Sequence, residues 1–301
     1  MLWYVPVAVR TITGYVAVPI LLKPLVDRYA QAPLLLVQFA GCFALALVLA
    51  AALDQASLDW TIVAVGGLNG FAAYCYRRAI AMSLSRTALF AFWDDLLAMA
   101  LSYVLLHEGQ FLTIGIGLGM VASVGAVILS TVHGYRKQQA GKDEPGLIPK
   151  RLYVFAGVYS VVLGVGVFFM RYLGVKDTGL GTFLVNWYGG VVLAAGLLLL
   201  AVHEEGKAPA VFATIPGKDL LRVVGLSLLV LVTMSAAYMA YRLAPQTIVQ
   251  PLFLVGEMIA PALIGLYVFA EREALDWQEQ LYFAVGLLGG VLVALSFSGV
   301  L

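Results

Sequence analysis

The chain has 301 residues, of which 62% are hydrophobic and only 12% charged, and its mean hydropathy is +0.95. An ordinary soluble domain carries about 25% charged residues, so this chain lacks the polar surface to fold in water, and lipid is its natural solvent. A formal net charge of +1 gives no basis for binding nucleic acid or acidic partners.

A membrane-spanning helix needs about 20 mostly apolar residues. In chain order, the segments that qualify are 2–23, 32–53, 60–80, 86–106, 112–132, 151–171, 180–202, 219–241, 246–269 and 279–300. The first begins at Leu2 with no basic residue before it. It is too long for a cleaved signal peptide and is read as a permanent span. The runs are continuously apolar and do not alternate with period two, which favours helices over a barrel. The longest polar stretch, residues 133–150, separates an N-terminal unit (1–132) from a C-terminal unit (151–301), each with five expected spans. Cys42 and Cys75 sit inside apolar runs and are expected to be buried thiols without a disulfide. His107, His133 and His203 lie at or near the ends of apolar runs. That placement removes a bis-histidine haem or a deep histidine metal site. Neither a cofactor nor a metal is expected.

The two units match one another in order. Leu36-Val37-Gln38-Phe39-Ala40-Gly41 aligns with Leu184-Val185-Asn186-Trp187-Tyr188-Gly189, and the same offset pairs Lys23 with Arg171. Further on, Ala72-Ala73-Tyr74 matches Ala236-Ala237-Tyr238 and Arg78 matches Arg242. After a slip of one residue, Leu89-Phe90 matches Leu252-Phe253, Asp94 matches Glu257 and Glu108 matches Glu271. In the last helix of each unit, Gly115 and Gly119 match Gly286 and Gly290. Five spans per unit is an odd number, so the second unit must enter the membrane from the opposite face. The expected fold class is an all-α polytopic membrane protein of ten transmembrane helices arranged as two five-helix inverted-topology repeats. In such transporters the substrate site lies near mid-membrane where the repeats meet. The glycine pairs are small-xxx-small faces, expected to pack helices within the chain or across a dimer.

The chain resembles the ten-helix EamA-type carriers of the drug/metabolite transporter superfamily over essentially its whole length. The resemblance rests on the five-plus-five helices and on acidic ends to the fourth and ninth, Leu105-Leu106-His107-Glu108-Gly109 and Val268-Phe269-Ala270-Glu271-Arg272. It rests also on an Ala-rich third and eighth helix, each closed by a very short turn. Such carriers often have proline about fourteen residues before those acidic ends; here Asp94 and Glu257 stand at those positions. The resemblance implies a secondary carrier in the cell (inner) membrane, monomeric or homodimeric, with both termini in the cytoplasm. Positive charges point the other way. Most Lys and Arg residues fall in the loops opposite the N-terminal side, which by the positive-inside rule puts both termini outside.

An ionisable side chain at the bilayer centre costs about 2.5–3.5 kcal/mol on insertion scales and usually faces a cavity or a partner. Arg10 lies roughly 12 Å into the first span at 1.5 Å per residue. Asp94 and Asp95 lie well inside the fourth span, and Glu257 lies near the middle of the ninth. Arg77, Arg78, Arg171 and Arg242 are near span ends and are expected to snorkel to water. Asp94 and Glu257 are expected to line a central cavity, binding a cationic group or exchanging a proton for substrate. The alternative is a structural ion pair with Arg10. Asp95 is turned about 100° from Asp94 around the helix, so only one of the two should face the cavity, and Asp94 has the repeat partner. Arg10 has no charged counterpart and suits a substrate carboxylate or phosphate, or serves as counter-ion to Asp94 or Asp95. Gln38 and Asn186, repeat-related amides, either bind a polar substrate or join helices. Tyr74, Tyr238, Trp93 and Trp187 are candidates for an aromatic wall with cation–π reach.

The expected function is a proton-coupled secondary transporter of a small polar metabolite such as an amino acid, another zwitterion or an amine. The alternative within transport is export of lipophilic cations, drugs or a lipid-linked solute. An intramembrane enzyme is disfavoured: Asp94 and Asp95 are neighbours on one helix and cannot converge as a protease dyad does. No phosphate-binding loop is present, so the chain is not itself an ATPase. The expected partners are a small-molecule substrate, the lipid bilayer and protons.

Overall fold

The computed structural model describes residues 3–107, 113–139, 150–202, 216–270 and 276–297. Among the described residues there are ten helical rods and no β-strand. They are α1 Tyr4–Arg28, α2 Gln31–Ala52, α3 Trp60–Met82, α4 Leu84–Leu105, α5 Ile114–Gln139, α6 Lys150–Val175, α7 Leu180–Ala201, α8 Gly217–Leu243, α9 Gln246–Leu263 and α10 Trp277–Phe297. A π-helical turn, Ile264–Val268, continues α9. Among the described residues, six helices are long and apolar enough to cross a membrane: α1, α2, α4, α7, α8 and the Arg151–Val175 part of α6. The protein is therefore a multi-pass membrane protein. Asn69, Arg77 and Arg78 lower the hydropathy of α3, and the apolar part of α9, Leu252–Val268, is shorter than the six. Large apolar side chains point outward, Leu200 and Ile114 at 86% and 85% exposure among them, which water would not tolerate over a whole surface.

The two boundaries furthest from the sequence expectation are the ends of the first and fifth helices. The first helix runs past residue 23 to Arg28. Lys23 does not end it because its amine donates to the Ile80 carbonyl at 2.8 Å and pairs with Asp27 one turn on, at 3.2 Å. The fifth helix continues to Gln139, seven residues into the stretch read as a linker; residues 140–149 lie outside the described residues.

Local chemistry explains several helix features. Asp59 caps α3 by accepting from the Thr61 and Ile62 amides. Asp276 and Glu279 form a reciprocal capping box at the start of α10 (2.7 and 3.1 Å). Inside α1 the coil loosens into a π-helix over Thr11–Ala17. Thr11 and Thr13 donate their hydroxyls back to the carbonyls of Val7 and Val9, a competition with the backbone ladder that bends helices. π-bulges of this kind are frequent at functional sites.

Packing runs chiefly between the first five helices and the last five. α3 lies on α7 and α6, α2 on α7 and α8, α4 on α6 and α9, α1 on α8, and α5 on α10. The core between them holds fully buried Phe183, Trp187, Tyr188, Tyr238, Tyr241 and Phe253. Cys42 and Cys75 are buried free thiols, and Cys42 donates to the Ser227 carbonyl at 3.4 Å.

One polar knot joins α1 to α8 at the chain turn between α1 and α2. Buried Asp219 accepts from Arg28 (2.8 Å), Arg222 (3.1 Å) and the Tyr29 hydroxyl (2.8 Å). Burial and the bond to Asp219 hold the Tyr29 phenol above its ordinary 10.0. A raised folded-state value means that this contribution is whole below pH 10 and is lost as the pH rises through the raised value. Hydrogen bonds to charged groups are worth about 1.5–3 kcal/mol, and the half-exposed arginines put this knot at the low end. Asp219→Asn should therefore cost about 1.5 kcal/mol, read as a lower thermal transition of the purified protein. An unchanged transition would show that the knot contributes nothing.

Candidate functional site

Four helices each turn one face to a common space. The residues are Arg10, Gly14, Tyr15 and Val18 on α1; Asn69, Ala72, Ala73 and Tyr76 on α3; Tyr159, Leu163, Val167 and Met170 on α6; and Val230, Thr233, Met234 and Ala237 on α8. Spacings of three and four residues place each set on one side of its helix. The cavity they enclose is about 200 Å³, and Glu257 of α9 completes its wall. Small residues on α1, α3 and α8 make the room. The chemistry is mixed: one guanidinium, one carboxylate, an amide and a few hydroxyls on an otherwise apolar lining.

Behind Glu257 stand Asp94 and Asp95, near the middle of α4. One carboxylate oxygen from each of the three lies within 4.8 Å of the others. Glu257 reaches in from a facing helix and meets both aspartates, and Asp94, expected on the cavity wall, stands behind it. Neither aspartate lines the cavity itself. At Gly164 of α6 an added Cβ would stand 2.7 Å from the Asp94 carbonyl oxygen, so α6 approaches the α4 backbone at this acid.

A hydrogen-bond chain leads to the acids from α1, α4, α8 and α9. Ser102 donates to Gln246 Oε1 at 2.5 Å, and Gln246 donates to Gln250 Oε1 at 3.4 Å. Gln250 also accepts from the Tyr241 hydroxyl and gives its own Nε2–H to Asp95 Oδ1. Arg10 Nη1 donates to the Tyr241 hydroxyl at 3.5 Å. On the cavity side, the Tyr159 hydroxyl donates to Glu257 at 3.1 Å, and its ring lies 4.7 Å from that of Tyr76.

Arg10 is buried, and its guanidinium sits 4.0 Å from the centre of the Phe253 ring and 5.4 Å from that of Tyr15. It makes no ion pair within 4.0 Å among the described residues. Glu257 and Asp95 are close enough to act on it electrostatically. The aromatic box holds the cation by its ring faces and leaves it unneutralised by a direct contact.

The remaining expected residues lie elsewhere. Gln38 accepts from Arg77, which is 2% exposed and does not snorkel; Phe39 covers its guanidinium at 5.5 Å. Asn186 accepts from the Asp59 amide at 3.0 Å and donates to the Ser57 carbonyl at 2.6 Å, tying α7 to the loop before α3. Tyr238 stacks on Phe183 at 4.1 Å and donates to the Thr178 carbonyl. Tyr74 and Trp187 are buried in the core, and Trp93 faces outward at 37% exposure. None of these six lines the cavity. Gly115 packs against Ser296 of α10, and Gly119, Gly286 and Gly290 are buried on α5 and α10. Arg171 donates to the Tyr241 carbonyl and Arg242 pairs with Asp177. Glu108 and Glu271 lie outside the described residues. Sequence reasoning missed Tyr15, Asn69, Tyr76, Tyr159 and Thr233. Asn69, an amide inside an apolar run, was the one detectable signal.

No protein-family model and no curated protein matches the chain. Among solved structures, a crystal structure described only as that of a protein is similar in fold, with a TM-score of 0.62 and 16% sequence identity over 97% of this chain and 96% of that one. The helical arrangement is thus shared with a known fold from end to end.

Proposed function

We propose that the chain is a secondary transporter of a small zwitterionic or amine metabolite, an EamA-type carrier of the drug/metabolite transporter superfamily. It works by alternating access between two inverted five-helix repeats in the cell (inner) membrane. The observation that carries this reading is the mid-helix cavity with both Arg10 and Glu257 in its lining. A guanidinium and a carboxylate lining one cavity match the carboxylate and ammonium of a zwitterion, and the apolar lining suits its side chain. At about 200 Å³ the cavity is smaller than the roughly 300–1,000 Å³ that drug-sized ligands occupy, which favours a metabolite over a drug.

The packing pattern supports the repeat. Exchanging α1–α5 with α6–α10 turns α3–α7 into α8–α2, α3–α6 into α8–α1 and α4–α6 into α9–α1, all of which are contacts. Under the same exchange α2–α7, α4–α9 and α5–α10 become themselves. The cavity helices α1, α3, α6 and α8 form two exchanged pairs. Asp94 and Glu257, matched in sequence, meet each other, which under a two-fold axis places them beside it. Their proximity to a buried, solvent-poor centre suits proton coupling.

Proteoliposomes test the reading. An imposed pH gradient should drive saturable uptake of a labelled amino acid or amine, and excess unlabelled substrate should abolish it. Transport of lipophilic cations alone, or no saturable flux of any zwitterion or amine, would overturn the proposal.

A further inference from the structure

A second hollow lies on the outer face of the bundle, where α4, α5 and α6 meet. It holds about 460 Å³, within the roughly 300–1,000 Å³ of sites that take small ligands. Phe90, Trp93 and Leu97 of α4, Val132 of α5, and Gly157 and Ser160 of α6 lie on its surface. Trp93 and Val132 are exposed. The Ser160 hydroxyl is already taken, donating to the Phe90 and Ala156 carbonyls at 2.9 and 2.8 Å. Apart from the Trp93 indole N–H, the lining side chains offer no free hydrogen bond, so the occupant that fits is apolar. A Cβ at Gly157 would meet nothing within 4 Å, so the wall of α6 is bare there. One end of the hollow is basic. Arg86 stands one turn before Phe90 on α4, and Arg136 one turn after Val132 on α5, each on the hollow's side of its helix. Arg151 lies in the first turn of α6. Two acids at this end are engaged: Glu279 pairs with Arg86 at 3.1 Å, and Asp276 lies 2.8 Å from His133 Nε2. Arg136 and Arg151 are exposed, and neither makes an ion pair within 4.0 Å among the described residues.

We propose that the hollow between α4, α5 and α6 binds an anionic phospholipid, with one acyl chain along Trp93 and Gly157 and the phosphate at Arg136 and Arg151. The charges are complementary: guanidinium groups take phosphate through paired, charge-assisted hydrogen bonds, and basic residues at a membrane surface attract anionic lipid. The length fits as well. From Arg86 to Leu97 the helix rises roughly 16 Å at 1.5 Å per residue, and one leaflet of the hydrocarbon core is about 15 Å deep. A chain anchored by its headgroup at the basic end therefore reaches the inner end of the hollow near the midplane. A second copy of the protein fits the same place poorly. Two copies in one membrane, related by a two-fold axis along its normal, would meet through identical patches, and Arg136 and Arg151 would face their own counterparts. The lipid site is independent of which solute the central cavity carries.

Quenching of tryptophan fluorescence by lipids brominated on their acyl chains tests the site. The full chain is reconstituted in phosphatidylcholine vesicles with a graded fraction of phosphatidylglycerol, one lipid or the other being brominated. The Trp93 signal is the difference between the wild type and Trp93→Phe. Phosphatidylglycerol should occupy the site at Trp93 at least about tenfold more readily than phosphatidylcholine, because each arginine near the surface favours an anionic lipid about fivefold. Arg136→Gln combined with Arg151→Gln should bring the two lipids to within about twofold of each other. Either substitution alone should remove about a factor of five. Gly157→Phe fills the hollow from open space and should abolish the preference with the arginines in place. Gly196→Phe, on α7 and also with nothing within 4 Å of its Cβ, should leave it unchanged. Equal quenching by the two lipids in the wild type overturns the proposal. A preference that survives the arginine pair or the Gly157 substitution does the same. A Trp93 signal that neither lipid quenches overturns it too, and assigns the hollow to a second copy of the chain.

Discussion

Glu257→Gln should lower substrate uptake in proteoliposomes by at least tenfold while leaving the folded protein as stable as before or more so. Glu257 is the one acid of the central group that reaches the cavity. A charge-assisted hydrogen bond to an ammonium is worth about 1.5–3 kcal/mol, or roughly a ten- to hundredfold loss in affinity when one partner becomes neutral. The same substitution keeps the Tyr159 contact, because an amide oxygen accepts from the hydroxyl as a carboxylate does. It also removes one of three clustered negative charges, so repulsion with Asp94 and Asp95 falls. Function and stability should therefore move apart. Asp94→Asn should behave alike through the shared cluster. Uptake at the wild-type rate in both variants would show that the acids serve packing alone. A matching fall in thermal stability and uptake would assign them a structural part.

Much of this site was legible in the sequence because charge inside an apolar run is rare and costly. Arg10, Asp94, Asp95 and Glu257 stand out by that criterion, and the ordered matches between the two units link Asp94 with Glu257. The tyrosines were not legible. The chain has 15 of them, and in an apolar helix a tyrosine reads as belt or core. Tyr15, Tyr76 and Tyr159 become site residues only through helix rotation and crossing, which no single helix specifies. Gln38 and Asn186 illustrate the opposite limit. Their polarity was visible, but their partners, Arg77 and the Ser57–Asp59 loop, come from other parts of the chain. Arg77 lies near a helix end in sequence yet is buried in the structure, because Gln38 and Phe39 receive it there. The glycines followed the same rule. Gly115 and its partners were visible as spaced pairs, whereas the backbone-to-backbone contact of α3 with α7 at Gly66 and Gly190 was not.

Gly190→Ala should destabilise the protein by about 1–3 kcal/mol, the usual cost of overpacking a well-packed interior, and Gly66→Leu should prevent folding. α3 and α7 touch through their backbones here. A Cβ at Gly190 would run into the Val63 carbonyl and stand 2.7 Å from the Gly67 nitrogen, and one at Gly66 would run into the Trp187 carbonyl. A Cβ at Gly70 would lie 3.0 Å from the Val191 oxygen. Rotamer changes cannot relieve contacts with backbone atoms, so the helices themselves must part. The consequence reaches the cavity, because α3 carries Asn69, Ala72, Ala73 and Tyr76 to its wall. A shift of α3 displaces those four residues relative to Glu257 even where the protein still folds. Gly196 supplies the control on the same helix, since a Cβ there meets nothing within 4 Å. Gly196→Ala should leave the thermal transition unchanged or raise it, alanine being the better helix former. Equal transitions for Gly190→Ala and Gly196→Ala would mean that the two helices do not cross at this contact. A lower transition for Gly190→Ala together with weaker substrate binding would tie the α3–α7 crossing directly to the shape of the cavity.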